Sequence, residues 1–257
     1  MSKIDSMQTI DRAMLILQSF STDVKELSLA ELHRRLGVSK SSLQRILNSL
    51  VGYGILEKDE VKKTYKLGIG LYFLGQLVEK DSQLLTISKR YMEQLRDKLS
   101  EAVSLNIISQ SERKCIGYVE GKHELTTISY VGQTSPLYAG ASAKLLLAYL
   151  PLEERNRLLD QIEFNPISKR TILDTEKLRG ELEKIIQDGY SISEEERVEG
   201  AIAISAPICN PFNEVIAAIT ISAPTVRLNR EKVDYYITHL KETAATISLN
   251  LTNVENQ

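Results

Sequence analysis

Four hydrogen-bonding side chains recur at helical spacing near the start of the chain: Ser41, Gln44, Arg45 and Asn48. Residues three or four positions apart share one face of an α-helix, so these side chains would point in the same direction. Hydroxyl, amide and guanidinium groups are the types that contact the base edges and phosphates of DNA. The alternative interpretation is a purely structural helix whose polar face is simply solvated.

The residues around this face predict a helix-turn-helix. Ser28 and Glu31 have the Ser-x-x-Glu spacing of a capping box, which starts a helix. Gly37 can end that helix with a positive φ, and Ser39 can cap the next one. The second helix also has an apolar face, which consists of Leu43, Ile46, Leu47 and Leu50. This agreement over one short span favours DNA binding.

We predict that Gln44 and Arg45 read bases, while Arg34 and Lys40 contact phosphates. The full set of predicted DNA contacts is Arg34, Ser39, Lys40, Ser41, Ser42, Gln44, Arg45, Asn48, Lys62 and Lys63. Lys62 and Lys63 lie near the tip of a predicted β-hairpin wing, whose strands are residues 55–56 and 65–67. They would contact phosphates or, as the alternative, only keep an edge hairpin soluble.

Two further stretches complete the predicted N-terminal half. Residues 7–20 predict a helix that packs behind the helix pair, with an apolar face of Ile10, Met14, Leu17 and Phe20. Residues 69–80 and 84–99 predict two amphipathic helices. The first must bury its apolar side chains against its own domains or against a second subunit. A dimer is expected because two half-sites require two recognition helices.

Composition and charge limit the class of protein. The 257 residues carry a net charge of −2, but residues 1–80 hold 12 Lys and Arg against 9 Asp and Glu. A slightly basic first part followed by an acidic remainder fits a DNA-reading domain attached to another domain. No apolar run is long enough for a membrane span and no signal peptide is recognisable, so we expect a cytoplasmic protein with no membrane association.

No motif in the sequence indicates a metal site, a cofactor or an enzyme. Cys115 and Cys209 are isolated, so we expect small buried hydrophobic residues, with neither a zinc site nor a disulfide. The sequence lacks a Gly-x-Ser-x-Gly elbow, a Ser-x-x-Lys motif, a phosphate-binding loop and a dinucleotide fingerprint. We therefore expect no catalytic activity and no cofactor.

The second half predicts an α+β domain. Strands are expected at residues 102–109, 114–121, 126–132, 190–195, 200–209 and 214–224, and helices at 141–150, 151–159, 175–188 and 229–251. Small residues from Gly140 to Ala143 precede an apolar helix, whose free N–H groups suit an anion. Ser205, Thr220 and Ser222 offer hydroxyls from apolar strands. These features predict a ligand pocket; alternatively, the small residues only allow close packing and the hydroxyls bond locally.

The order of these parts resembles the IclR family of bacterial transcriptional regulators over essentially the whole chain. The resemblance is carried by LAELHRRLGVSKSSLQRILNSL and the wing ending TYKLG in the first half. In the second half it is carried by GQTSPLYAGASAKLLLAYLP, DGYSISEEERVEGAIAISAPI and AAITISAP. The chain departs from the family pattern at Ala143, where a Gly is frequent.

The resemblance implies an α+β protein with a winged helix-turn-helix at residues 1–68, a linker helix at 69–82 and a GAF-like effector-binding domain at 83–257. Family members are homodimers or tetramers that bind double-stranded operator DNA. A small metabolite controls them, either an organic acid, a sugar-derived compound or an aromatic compound. The implied effector contacts are Ala141, Ser142, Ser193, Ala203, Thr220 and Ser222. We expect a regulator of a metabolic operon, with repression favoured over activation; in the alternative, the second half serves only dimerisation or interaction.

Overall fold

The computed structural model describes residues 7–21, 24–125 and 129–255, with side chains up to residue 253. The chain divides into two compact units, residues 1–81 and 82–257. The elements of the first unit are α1 (Gln8–Gln18), β1 (Leu27–Ser28), α2 (Leu29–Leu36), α3 (Lys40–Gly52), β2 (Leu56–Asp59), β3 (Thr64–Leu67) and α4 (Ile69–Asp81).

The helix-turn-helix forms as its capping residues predict. The Ser28 hydroxyl accepts a hydrogen bond from the Glu31 backbone N–H, and the Glu31 carboxylate accepts one from the Ser28 N–H, which together make a capping box. α2 ends at Gly37, whose φ of 65° is accessible to glycine without strain. The Ser39 side chain caps α3 by accepting a hydrogen bond from the Ser42 N–H.

The predicted apolar face of the first helix is wrong in part. Ile10 and Met14 are exposed. Leu17 and Phe20 pack into the core of the first unit as predicted, and Ile16, which was not predicted, is buried with them. Residues 13–17 are all apolar, so periodicity admits more than one apolar stripe, and packing selects the one that contains Ile16. α3 follows the prediction, since Leu43, Ile46, Leu47 and Leu50 all pack into the same core.

The wing is a three-stranded antiparallel sheet in the order β1–β3–β2. The hairpin β2–β3 was predicted, but β1 was not, because two residues are too few to show an alternating pattern. Tyr65 of β3 pairs with Leu27 of β1 and is almost fully buried. The wing is thereby joined to the helical core through a buried aromatic ring.

The second unit is an antiparallel sheet with helices on both faces. Its helices are α5 (Gln83–Leu99), α6 (Ala141–Ala148), α7 (Leu152–Asp160), α8 (Thr175–Asp188) and α9 (Arg230–Glu255). Its strands are β4 (Ala102–Ser109), β5 (Glu112–Val119), β6 (Thr134–Pro136), β7 (Ser191–Glu194), β8 (Ala201–Cys209) and β9 (Val215–Pro224). The strand order is β6–β5–β4–β9–β8–β7.

The alternation of side chains along each strand separates the two faces of this sheet. Ile219 and Ile221 of β9 pack with α5 and α9 in the larger hydrophobic core. Thr220 and Ser222, which alternate with them, point to the opposite face, where α6 begins. α6 is buried along its whole length. The polar positions of the strands therefore lie beneath the N-terminus of a buried helix.

The prediction of a strand at residues 126–132 is wrong for those of its residues that the structure describes. Residues 126–128 of the predicted strand 126–132 lie outside the described residues, and residues 129–132 are not a strand. The sheet edge is formed instead by β6, which pairs with β5. Within the described ranges, no helix combines the length and apolar character needed to cross a bilayer.

Candidate functional site

The outer face of the helix-turn-helix carries exposed cations. Arg34, Lys40 and Arg45 are exposed and form no ion pair within the described residues. Ser41 and Asn48 are also exposed on α3. The face opposite the core thus combines positive charge with hydrogen-bonding groups, as a DNA-contacting surface requires.

Other predicted contact residues of α3 are held by neighbouring side chains. The Gln44 Nε2 donates to Asn48 Oδ1 at 2.8 Å and to Tyr65 Oη at 3.1 Å. The Ser42 hydroxyl accepts a hydrogen bond from Arg12 Nη1 at 3.2 Å. The Ser39 hydroxyl is engaged as the helix cap. The contacts of Gln44 with Tyr65 and of Ser42 with Arg12 join residues that are distant in sequence, so helical spacing could not reveal them.

Both wing lysines lie next to carboxylates. Lys62 Nζ is 3.2 Å from Glu26, and Lys63 Nζ is 3.0 Å from Glu60. The hydrogen bond from Lys62 lowers the pKa of the Glu26 carboxyl, with Thr64 contributing a second hydrogen bond. These pairs are exposed, so each contributes little to stability and can separate when a phosphate competes.

In the second unit, the six predicted effector contacts all line one cavity of about 90 Å³. They come from separate elements: α6 supplies two of them, β7 and β8 one each, and β9 two. These residues are Ala141, Ser142, Ser193, Ala203, Thr220 and Ser222. Antiparallel register places Ser193 opposite Ala203, and Ala203 opposite Ser222. The three strands thus place Ser193, Ala203 and Ser222 side by side, beneath the start of α6.

Two arginines that the sequence analysis did not select also line this cavity. The Arg113 side chain is 2% exposed. It donates through Nε to Ser135 and through Nη1 to Asn106, while its Nη2 has no hydrogen-bond partner. Burial, together with the positive charge of Arg197, lowers the pKa of the Arg113 guanidinium to about 10. Burial also lowers the pKa of Arg197.

Glu196, a carboxylate of the cavity wall, is already paired with a cation. Glu196 accepts a hydrogen bond from Lys144 Nζ at 2.5 Å and another from the Gly140 N–H at 3.0 Å. Within the described residues, neither Arg113 nor Arg197 forms an ion pair. The cavity wall therefore keeps two positive charges without a counter-ion, a costly arrangement in a buried site.

Gly140 allows Arg197 to approach the start of α6. Its φ of 97° is rarely adopted by other residues, and a Cβ at this position would lie 2.9 Å from Arg197 Cδ. The first N–H groups of a helix have no partner inside the helix and carry partial positive charge. The guanidinium of Arg197 and the N-terminus of α6 consequently face the same small volume.

The cavity hydroxyls differ in their availability. Thr220 Oγ1 shares a hydrogen bond of 2.8 Å with Ser205 Oγ, and it accepts a second one from Asn106 Nδ2 at 3.2 Å. Ser205 and Thr220 thus bond to each other across adjacent strands, 15 residues apart, so their bond is not local in sequence. The hydroxyls of Ser142, Ser193 and Ser222 have no hydrogen-bond partner within the described residues. Free hydroxyls, two cations and a helix N-terminus form a site suited to a small anion.

Neither cysteine lines this cavity. Both thiols are free, Cys115 is buried and Cys209 is half-buried. Burial raises the pKa of the Cys115 thiol, so it remains protonated at neutral pH. Over the part of the chain that the structure describes, no group of three or more His, Cys, Asp or Glu side chains is placed to hold a metal ion.

Two family models match the chain. The IclR helix-turn-helix domain matches residues 9–60, and the bacterial transcriptional regulator IclR C-terminal domain matches residues 76–249. The HTH-type transcriptional regulator KipR of Bacillus subtilis is 34% identical over 94% of this chain and 96% of its own length.

Solved structures share the fold over nearly the whole chain. The IclR of Thermotoga maritima is 28% identical, with a TM-score of 0.77 over 96% of this chain and 99% of that one. An IclR homologue of Microbacterium hydrocarbonoxydans, solved with 4-hydroxybenzoate, has a TM-score of 0.84 at 23% identity, covering 95% of this chain and 99% of that one. Given both family models and the conserved fold, the chain belongs to the IclR family of bacterial transcriptional regulators.

Proposed function

We propose that this regulator binds double-stranded operator DNA as a homodimer or as a tetramer made of two dimers, under the control of a small organic acid. Residues 1–68 would bind the DNA, residues 69–82 would link the domains, and residues 83–257 would bind the effector. The observation that carries the proposal is the cavity below α6, where Arg113 and Arg197 have no ion-pair partner among the residues that the structure describes.

The charge of the cavity favours an anionic effector. Two desolvated guanidinium groups and a helix N-terminus gain most from a carboxylate, which accepts charge-assisted hydrogen bonds from both. A volume of about 90 Å³ holds roughly three water molecules, since each occupies about 30 Å³ in the liquid. This size favours a small organic acid over a sugar-derived or a large aromatic compound. The complex of the Microbacterium homologue indicates that the same fold can hold an aromatic carboxylate.

The exposed apolar side chains of α4 support self-association. Six of its residues are exposed by more than half: Ile69, Tyr72, Phe73, Leu74, Leu77 and Val78. Contiguous apolar surface of this kind marks protein–protein contacts. A dimer that buries this helix would hold two copies of α3 at a fixed spacing.

Size-exclusion chromatography with light scattering on Leu74→Glu plus Leu77→Glu tests this contact, and the expected result is a monomer with weakened operator binding.

Effector control follows from differential affinity. A carboxylate that binds one conformation of the dimer more tightly shifts the population toward that conformation, and with it the affinity for DNA.

We propose repression, because occupancy of an operator by itself excludes other proteins from that DNA. Deleting the gene should then raise transcription of the operon beside the operator, and unchanged transcription would contradict repression.

Binding of the full-length protein to its operator, measured with and without candidate acids, tests the whole proposal. Acetate, pyruvate, succinate and benzoate form a suitable series, with acetamide and glycerol as uncharged controls. At least one acid should change operator affinity, while the uncharged compounds should not. If every compound leaves both the melting temperature and operator affinity unchanged, the alternative of a simple dimerisation domain is favoured.

Arg45→Ala is expected to weaken operator binding by about 1–3 kcal/mol and to relax specificity at one base position. Arg45 is exposed on α3 and has no ion pair within the described residues, so its guanidinium is available to a base. Fluorescence anisotropy on operator and mutated operators measures the effect. Arg230→Ala on α9 is the control, and equal effects of the two substitutions would remove Arg45 from the interface.

The salt dependence of DNA binding should distinguish the helix cations from the wing lysines. Arg34→Gln plus Lys40→Gln should reduce the slope of log K against log salt by about 2, since each lost phosphate contact removes about one unit. Lys62→Gln plus Lys63→Gln should change it less, because these lysines must first leave Glu26 and Glu60. A larger effect of the wing pair would reverse this assignment.

A further inference from the structure

Gln44, Asn48 and Tyr65 form a hydrogen-bonded group that crosses from the recognition helix to the wing. Gln44 Nε2 donates to Asn48 Oδ1 at 2.8 Å, one helical turn along α3. The same nitrogen donates to Tyr65 Oη at 3.1 Å, across 21 residues of sequence. Tyr65 is 2% exposed and belongs to the hydrophobic core of the first unit. A rigid wing residue thus holds a polar side chain of α3 in place.

The two amides leave one acceptor and one donor unused. Within the described residues, Gln44 Oε1 and Asn48 Nδ2 make no hydrogen bond. If both amides turned over, Asn48 Nδ2 would donate to Gln44 Oε1, leaving Asn48 Oδ1 and Gln44 Nε2 free. Either arrangement leaves one amide oxygen free to accept and one amide nitrogen free to donate. The hydrogen-bonding character of the pair is therefore fixed, whichever way the amides point.

A free acceptor and a free donor on the protein are complementary to only one base edge in the major groove, that of adenine. Adenine presents the N7 acceptor beside the N6 amino donor. Guanine presents two acceptors, cytosine presents one donor, and thymine presents one acceptor and a methyl group. We propose that Gln44 and Asn48 together read a single adenine in each half-site, and that Tyr65 is the positioning residue for Gln44. This inference rests on the proposed contact of α3 with operator DNA.

The contribution of Tyr65 is the orientation of Gln44. A free glutamine side chain samples many rotamers and must lose that freedom when it binds a base. The phenolic oxygen holds the amide before DNA arrives, so less freedom is lost on binding. Tyr65→Phe removes this contact and keeps the ring in the core. The effect on one base position can therefore be separated from an effect on folding.

Selection of bound duplexes from a randomised pool by the full-length protein tests the proposal. The wild-type protein should select an adenine at one position of each half-site. Gln44→Ala should lower the preference for that adenine about five- to 150-fold, and Tyr65→Phe about two- to tenfold at the same position. Other positions, and affinity for unrelated DNA, should remain unchanged. Tyr53→Phe is the matched control, since Tyr53 follows α3 and is 82% exposed.

The possible failures are distinguishable. A wild-type protein that selects no sequence overturns the proposed DNA-binding function, and this inference with it. A clear motif in which Gln44→Ala alters a guanine or cytosine position overturns the adenine assignment alone. A Tyr65→Phe protein that melts at the wild-type temperature and selects the wild-type motif with undiminished preference overturns the positioning role of Tyr65.

Discussion

Arg197→Gln is expected to abolish the stabilisation of this protein by its carboxylate effector while leaving the empty protein folded. A charged partner lost from a desolvated ion pair costs about 2–5 kcal/mol, which corresponds to at least a thirtyfold rise in Kd. In the effector-free protein, Arg197 is desolvated and forms no ion pair within the described residues. Removing its charge therefore relieves an unfavourable burial, and the melting temperature without ligand should stay level or rise.

Thermal unfolding with increasing concentrations of the acid that acts on operator binding measures this effect. The wild-type melting temperature should rise with acid concentration, because a ligand of the native state stabilises it by mass action. The Arg197→Gln curve should stay flat, and Arg230→Gln, an exposed arginine on α9, should behave as the wild type. An Arg197→Gln protein that retains wild-type affinity would show that the acid binds elsewhere.

Lys144→Met is expected to lower the free energy of unfolding by about 3–5 kcal/mol, because it leaves a buried carboxylate without its cation. Lys144 is 1% exposed, and its Nζ contacts Glu196 at 2.5 Å and Glu181 at 3.3 Å. Glu181 is half-buried, so water can replace that contact, whereas Glu196 is buried. For a unit of this size, the melting temperature should fall by about 6–20 °C.

Two further variants separate the buried pair from a general effect of losing a lysine. Lys184→Met removes an exposed lysine of α8 and should change stability by less than about 0.5 kcal/mol. Lys144→Met plus Glu196→Gln removes both charges and should recover part of the loss. Chemical denaturation of the four proteins measures this, and equal destabilisation by Lys144→Met and Lys184→Met would contradict the role of the pair.

The helix-turn-helix could be predicted from sequence because its signals are local. The capping box of Ser28 and Glu31, the cap at Ser39 and the stop at Gly37 each act within a few residues. The first helix shows the limit of this reasoning. Its run of apolar residues leaves the direction of packing open, and the choice of Ile16 over Ile10 depends on α2 and α3.

The cavity could be predicted only in part. Motif positions shared with a protein family suggested six residues, and the structure brings them to one volume. Arg113 and Arg197 were missed because charged residues usually lie on the surface, so a lone arginine gives no sign of burial. Strand alternation was the available signal, since Arg113 lies two residues before Cys115 and shares its side of β5.

The sequence by itself determined the local elements of this regulator: the capped helices, most strands and the polar face of α3. Tertiary structure alone decided which distant groups meet. Strand register places Ser193, Ala203 and Ser222 side by side, and the wing brings Tyr65 to Gln44. Packing also buries Arg113 and Arg197 with no ion-pair partner in the described part of the chain. The physical reason is that caps and periodicity act over a few residues, whereas register, desolvation and side-chain pairing depend on the whole packed chain.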